Sequence, residues 1–191
     1  MLEKRGQAVA IRLHAAAILD GDFFFVSGSS WYARLIRANT FSRFSHVGLA
    51  IWAPLAGMRR LCIFEAIGSG VRLFPMDRYL AECQHLREKV YWFSTSPEID
   101  HEKLLRYAAW QWGKPYASAW QMVFSFGWLT RFVRHLIGSR DRDLDVDRFF
   151  CSELLASALQ YAGVTTPLPA AMSPGQLASA PFLKNNGELT L

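Results

Sequence analysis

Between residues 44 and 66 the chain reads Phe-Ser-His-Val-Gly-Leu-Ala-Ile-Trp, then a turn around Pro54 and Gly57, then Arg-Leu-Cys-Ile-Phe-Glu-Ala. Alternation in the first run places Val47, Leu49 and Ile51 on one face of a strand and His46, Gly48 and Ala50 on the other. The loop composition makes the second run its antiparallel partner in a hairpin. His46 shares its face with small residues, which leave room for a group to approach the ring, although a satisfied core histidine has the same pattern. Glu65 is the odd member. A carboxylate in an apolar strand is costly without a partner, and the nearest candidate across the pair is His46. An edge-strand carboxylate facing water is the equally weighted alternative.

The flanking segments supply the other elements. Residues 7–19 read as a short helix closed by the Asp20-Gly21-Asp22 turn, 23–26 as a buried strand, and Trp31, Leu35 and Ile36 as part of another short helix. Gly68-Ser69-Gly70 turns the chain into a strand over 71–74, 76–87 is predicted helical, and 90–93 is a further strand. A helix is predicted from Ser96 as N-cap, with Pro97 at its first position, to about Trp112 and the glycine stop at Gly113. Residues 120–137 are strongly apolar but interrupted by Gly127, Arg131, Arg134 and His135, too short and too charged for a membrane span. They read as a buried helix or lid first and an interfacial helix second. Residues 140–147 read as a charged surface loop, and the proline-rich tail after Gly163 as irregular chain wrapping the domain.

Cys151 opens the last helical run. Leu154, Leu155, Ala158 and Leu159 fall on its apolar face, and the thiol sits in the first turn, where unpaired N–H groups and the macrodipole favour negative charge. A thiolate is easiest to form there, and the thiolate is the nucleophilic form of cysteine. Taken alone, such a cysteine reads as packing. Its combination with a histidine on a strand and a carboxylate on the neighbouring strand is what a cysteine hydrolase needs: nucleophile, base and orienting group.

These 191 residues suit a single domain over 1–191. With 51% hydrophobic and 14% aromatic residues the chain is globular, and its aromatic surplus suggests an apolar cleft or partner. The +5 formal charge favours anionic partners, but Arg34, Arg37, Arg43, Arg59 and Arg60 match no nucleic-acid motif, so no specific nucleic-acid partner is expected. Three cysteines without regular spacing, Cys62, Cys83 and Cys151, indicate a reducing compartment rather than a disulfide framework. The N-terminal segment is too short and polar for a secretory leader, so a cytoplasmic protein is expected as encoded, one that acts outside only if released by lysis.

Four blocks then carry a resemblance: Ser45-His46-Val47-Gly48, Phe64-Glu65-Ala66, Gly113-Lys114-Pro115-Tyr116 and Phe149-Phe150-Cys151-Ser152-Glu153-Leu154. In content and order, histidine first and cysteine last, they resemble the circularly permuted papain-like hydrolases, the YiiX/YaeF-like branch of the NlpC superfamily, with lecithin retinol acyltransferase a more distant relative. The resemblance spans about residues 20–163. It implies an α+β domain of permuted papain-like (NlpC-type) architecture, an antiparallel β-sheet packed against helices. It also implies Cys151 as nucleophile, His46 as general base, Glu65 as the orienting third residue and Tyr116 in the substrate pocket, with no cofactor and no metal. The implied reaction is acyl transfer to Cys151 and hydrolysis of an amide or ester, in a small peptide or an acylated amino acid of cell-wall or lipid origin.

Three other functions compete. One is a non-catalytic binding module on the same fold. Another is a membrane-associated lipid acyltransferase or thiol esterase, with peripheral membrane contact through 120–137. The weakest is a zinc site from Cys62, Cys83 and His85, which lacks any paired ligand spacing.

Overall fold

The computed structural model describes residues 17–55, 57–115, 151–166 and 172–189. Six strands form one sheet: β1 (Phe23–Ser27), β2 (His46–Leu55), β3 (Met58–Ile67), β4 (Gly70–Pro75), β5 (Lys89–Thr95) and β6 (Leu183–Leu189). Their order is β4-β3-β2-β1-β5-β6, and every pairing is antiparallel. Among the described residues five helices accompany them: α1 (Trp31–Thr40), α2 (Met76–His85), α3 (His101–Gln111), α4 (Cys151–Tyr161) and α5 (Pro174–Ala178). The chain therefore has an α+β fold, an antiparallel sheet packed against helices.

Strand β1 explains itself by position. It lies between β2 and β5 with both faces covered, so Phe23, Phe24, Phe25 and Val26 are all buried and the run is apolar throughout rather than alternating. Phe23 and Phe25 join Val47, Leu49, Phe64, Ala66 and Phe93 in a core closed by α3 and by Leu154, Leu155, Ala158 and Leu159 of α4. Phe24 and Val26 join Ala50, Ile63 and Val90 in a second core against Met76, Tyr79, Leu80 and Cys83 of α2. The alternation expected of β2 and the apolar face expected of α4 are both realised. The expected hairpin forms, with Leu49 opposite Phe64 and Trp52 opposite Leu61. Asp22, which the sequence marks only as a turn residue, is buried and accepts hydrogen bonds from Leu19 N, Trp92 Nε1 and Thr95 N, tying the start of β1 to β5.

Three expectations need correction. Helix α3 starts at His101, not after Ser96: the Ser96 N–H donates to Phe182 O, and Asp100 caps the helix by accepting from Lys103 N. Ser96-Pro97 is a turn leading in. The tail is not irregular where it is described. Ser173 and Gln176 form a reciprocal capping box for α5, and 183–189 adds the edge strand β6, bulged against Trp92/Phe93. Finally, the space above Gly48 is not open, because a β-carbon there would lie 2.4 Å from Ile63 Cγ1. The glycine admits a core side chain. The helix expected over 7–19, apart from its last residues, the segments 120–137 and 140–147, Tyr116, Pro167 and Pro169 lie outside the described residues. Among the described residues no helix is long and apolar enough to cross a membrane.

Candidate active site

Strand register sets up the site. Glu65 on β3 stands directly opposite Arg72 on β4, so the two side chains share a face. The β2–β3 register continues to bring Gly48 level with Glu65, leaving His46 two residues along on that same face and diagonal to the carboxylate. Glu65 is 1% exposed. Both of its oxygens are used: His46 Nε2 lies 2.7 Å from Oε2, while Arg72 donates to Oε1 through Nε at 2.9 Å and Nη2 at 2.7 Å. The water-facing reading of Glu65 is therefore excluded, since a carboxylate this buried persists only because two cationic partners compensate its desolvation.

Burial raises the Glu65 pKa, but His46 and Arg72 outweigh it and hold the carboxyl below its usual value. An ionised carboxylate only accepts, so the proton on Nε2 is the donated one, and Nδ1 is the ring nitrogen left for Cys151. Cys151 stands close enough to this ring to raise its pKa. Burial pushes the His46 pKa down; the charge of Cys151, the hydrogen bond to it, and Glu65 push it up and win, at about 10. Arg72, Glu65 and His46 then alternate in sign along one chain of contacts.

Cys151 is buried at the first residue of α4, where the helix leaves its unpaired N–H groups. The next residue fixes this end: Ser152 Oγ donates to Met172 O at 2.6 Å. A cavity of about 690 Å³ reaches His46, with Tyr32, Ile36, Ala66 and Glu88 among its walls. Burial, and then the charge of Cys151, raises the Tyr32 phenol to about 12, so it stays protonated. Gly113 and Lys114 lie along β4 through backbone bonds with Val71. Gly70 is required beside them, having φ +118 and the Lys114 carbonyl 2.9 Å from where a β-carbon would sit. Tyr116, two residues further, is outside the described residues, and its expected pocket role rests on the resemblance alone.

The structure thus brings together three of the four residues singled out in the sequence and adds two that sequence reasoning missed. Arg72 carried a signal, a charged residue in the strand that follows the carboxylate's own, but only the register makes it a partner. Tyr32 carried none. The zinc arrangement does not form: Cys62 lies on β3, Cys83 on α2, and among the described residues no three His, Cys, Asp or Glu side chains gather as metal donors.

Among the described residues no imidazole acts on the other two cysteines. Burial raises the Cys62 thiol, and burial followed by the charge of Glu88 pushes Cys83 up to about 12. Iodoacetamide at neutral pH should therefore modify Cys151 well ahead of both, as peptide mapping of the native chain would reveal. Equal labelling of the three would show that the contact with His46 does not activate the thiol.

No protein-family model matches the chain, and no curated protein matches it. Among solved structures it is similar to the crystal structure of the metalloprotein yiiX from Escherichia coli O157:H7, with a TM-score of 0.53 and 22% sequence identity over 90% of this chain and 98% of that one. A likeness at that identity is one of fold.

Proposed function

We propose that the chain is a cysteine hydrolase of the amidase or peptidase type, a member of the permuted papain-like branch that its sequence blocks resemble, cleaving an amide or ester bond through an acyl-enzyme on Cys151. One observation carries this reading. A buried carboxylate, clamped on its far side by Arg72, bonds an imidazole whose pKa is raised by Cys151 at a helix start.

The chemistry follows from the tautomer. The thiolate attacks the carbonyl carbon; a C–S bond forms as the carbonyl π pair moves to oxygen, and backbone N–H groups at the start of α4 are placed to receive the oxyanion. The imidazolium passes its proton to the leaving nitrogen or oxygen as the scissile bond breaks. Neutral His46 then takes a proton from water, the oxygen attacks the thioester, and collapse expels the thiolate beside a renewed imidazolium. Glu65 keeps Nε2–H oriented throughout and stabilises the ring when charged. The substrates that fit this reading are small peptides or acylated amino acids, their acyl or leaving group seated in the cavity beside His46.

Mixing the chain with an activated ester such as p-nitrophenyl acetate and following intact mass tests the reading. A transient acyl adduct on Cys151 that water removes is expected. A chain that stays unmodified, or that is acylated only at Cys62 or Cys83, would sink it.

A further inference from the structure

Helix α1 has two unlike faces. Inward it gives Tyr32, Ala33 and Ile36 to the wall of the cavity that reaches His46, and Trp31 touches the rim of that cavity with part of its ring. Outward, at about 100° per residue, Trp31, Arg34, Leu35 and Ala38 fall in one exposed arc. Trp31 is 78% exposed and Leu35 37%; Phe41, which follows the last turn, is 98% exposed. The position of Phe41 is built rather than accidental. It adopts the left-handed conformation at φ +49, uncommon for a bulky residue, and its N–H still bonds Arg37 O. The neighbours on its C-terminal side are fastened down: Ser42 Oγ accepts from Phe44 N, Phe44 is buried, and Gly175 packs so closely on Ser42 that a β-carbon would overlap it at 2.3 Å. The chain holds a strained backbone to point a phenyl ring at solvent.

Charge decides what this surface suits. Residues 28–46 contain three arginines and no Asp or Glu. None of the three takes part in an ion pair among the described residues. Arg37 turns in to Ser27 Oγ, Arg43 lies exposed across the Phe44 and Tyr91 rings with 4.6 Å to each centroid, and Arg34 points outward. A second copy of the chain is a poor occupant, because the two patches would face each other with the same sign and no carboxylate between them. An anionic lipid surface fits both features: apolar side chains enter the headgroup and acyl boundary while arginines meet phosphates.

We infer that the outer face of α1, with Phe41, is a docking surface for an anionic lipid surface, the helix lying parallel to it with Trp31, Leu35 and Phe41 inserted and Arg34 and Arg43 at phosphate level. This does not depend on the hydrolase reading.

Flotation of the full chain with phosphatidylglycerol-containing vesicles, against phosphatidylcholine alone, tests it. The wild-type chain should float with the anionic vesicles and not with the neutral ones. Leu35→Ser/Phe41→Ser should lower the partition coefficient by roughly tenfold or more, and Arg34→Gln by roughly fivefold, with a weaker dependence on salt. The sites are solvent-facing, so the thermal transition should be retained. If the double variant melts differently, Arg34→Gln alone decides. Failure of the wild type to float, equal flotation on neutral vesicles, or variants that float like wild type would each overturn the docking surface, the last by moving membrane contact to another part of the chain.

Discussion

Replacing Cys151 by alanine should reduce hydrolysis to background, a loss on the order of 10⁴-fold or more, because no other residue at the site can carry the acyl group. The substitution also reports on the pair itself. Against desolvation, which lowers the His46 pKa, the largest opposing causes are the charge of Cys151 and the hydrogen bond to it. Without the thiol, only Glu65 favours the imidazolium, so an NMR titration of His46 should show its pKa falling from about 10 toward or below its ordinary value of 6.5. Turnover by Cys151→Ala within roughly tenfold of wild type would remove the acyl-enzyme. An unchanged His46 titration would remove the ion pair.

Glu65→Gln should lower both turnover and neutral-pH alkylation of Cys151 by about 10²-fold, since it keeps the shape at Oε2 but withdraws the charge that stabilises the imidazolium. It also strands the Arg72 guanidinium beside the ring. Arg72→Gln should therefore cost less, about 10-fold, by freeing the Glu65 rotamer. In the Glu65→Gln background, Arg72→Gln should add no further loss, because Arg72 acts through the carboxylate; additive losses would mean that it contacts substrate instead. Acid stability carries the same signature. The Glu65 pKa is lowered in the folded chain, so its contribution is present above 4.5 and is lost as pH falls below that value. The wild-type melting temperature should drop on acidification through this window, and the Glu65→Gln chain should show a shallower slope.

Much of this was legible because it depends on short-range periodicity. The alternation of 46–51 named the faces of β2, and the apolar spacing of Leu154, Leu155, Ala158 and Leu159 named the buried side of α4, as burial requires. Errors came where a long-range contact overrode a local signal. Ser96 has the chemistry of an N-cap, but its backbone N–H is taken by Phe182 O, so the helix waits for Asp100. The strand over 183–189 is poor in β-branched residues and contains Gly187; it forms because β5 offers an open edge. The capping box Ser173-Pro174-Gly175-Gln176 is legible in the sequence, and it seats Pro174 in the first turn of α5, where a missing N–H costs nothing.

The sequence by itself determined which residues could do chemistry: a cysteine at a helix start, a histidine on a strand and a carboxylate with no reason to be in an apolar one. Spacing along a chain encodes which face a side chain occupies, and that made His46 the nearest candidate partner of Glu65, level with a carboxylate facing water. Only the tertiary structure decided the electrostatics. Whether Glu65 met water or a partner depended on the β3–β4 register that sets Arg72 opposite it, and whether Cys151 met His46 depended on how α4 packs against the sheet. Charge interactions are set by distance and burial in three dimensions, and neither is a periodic property of the chain.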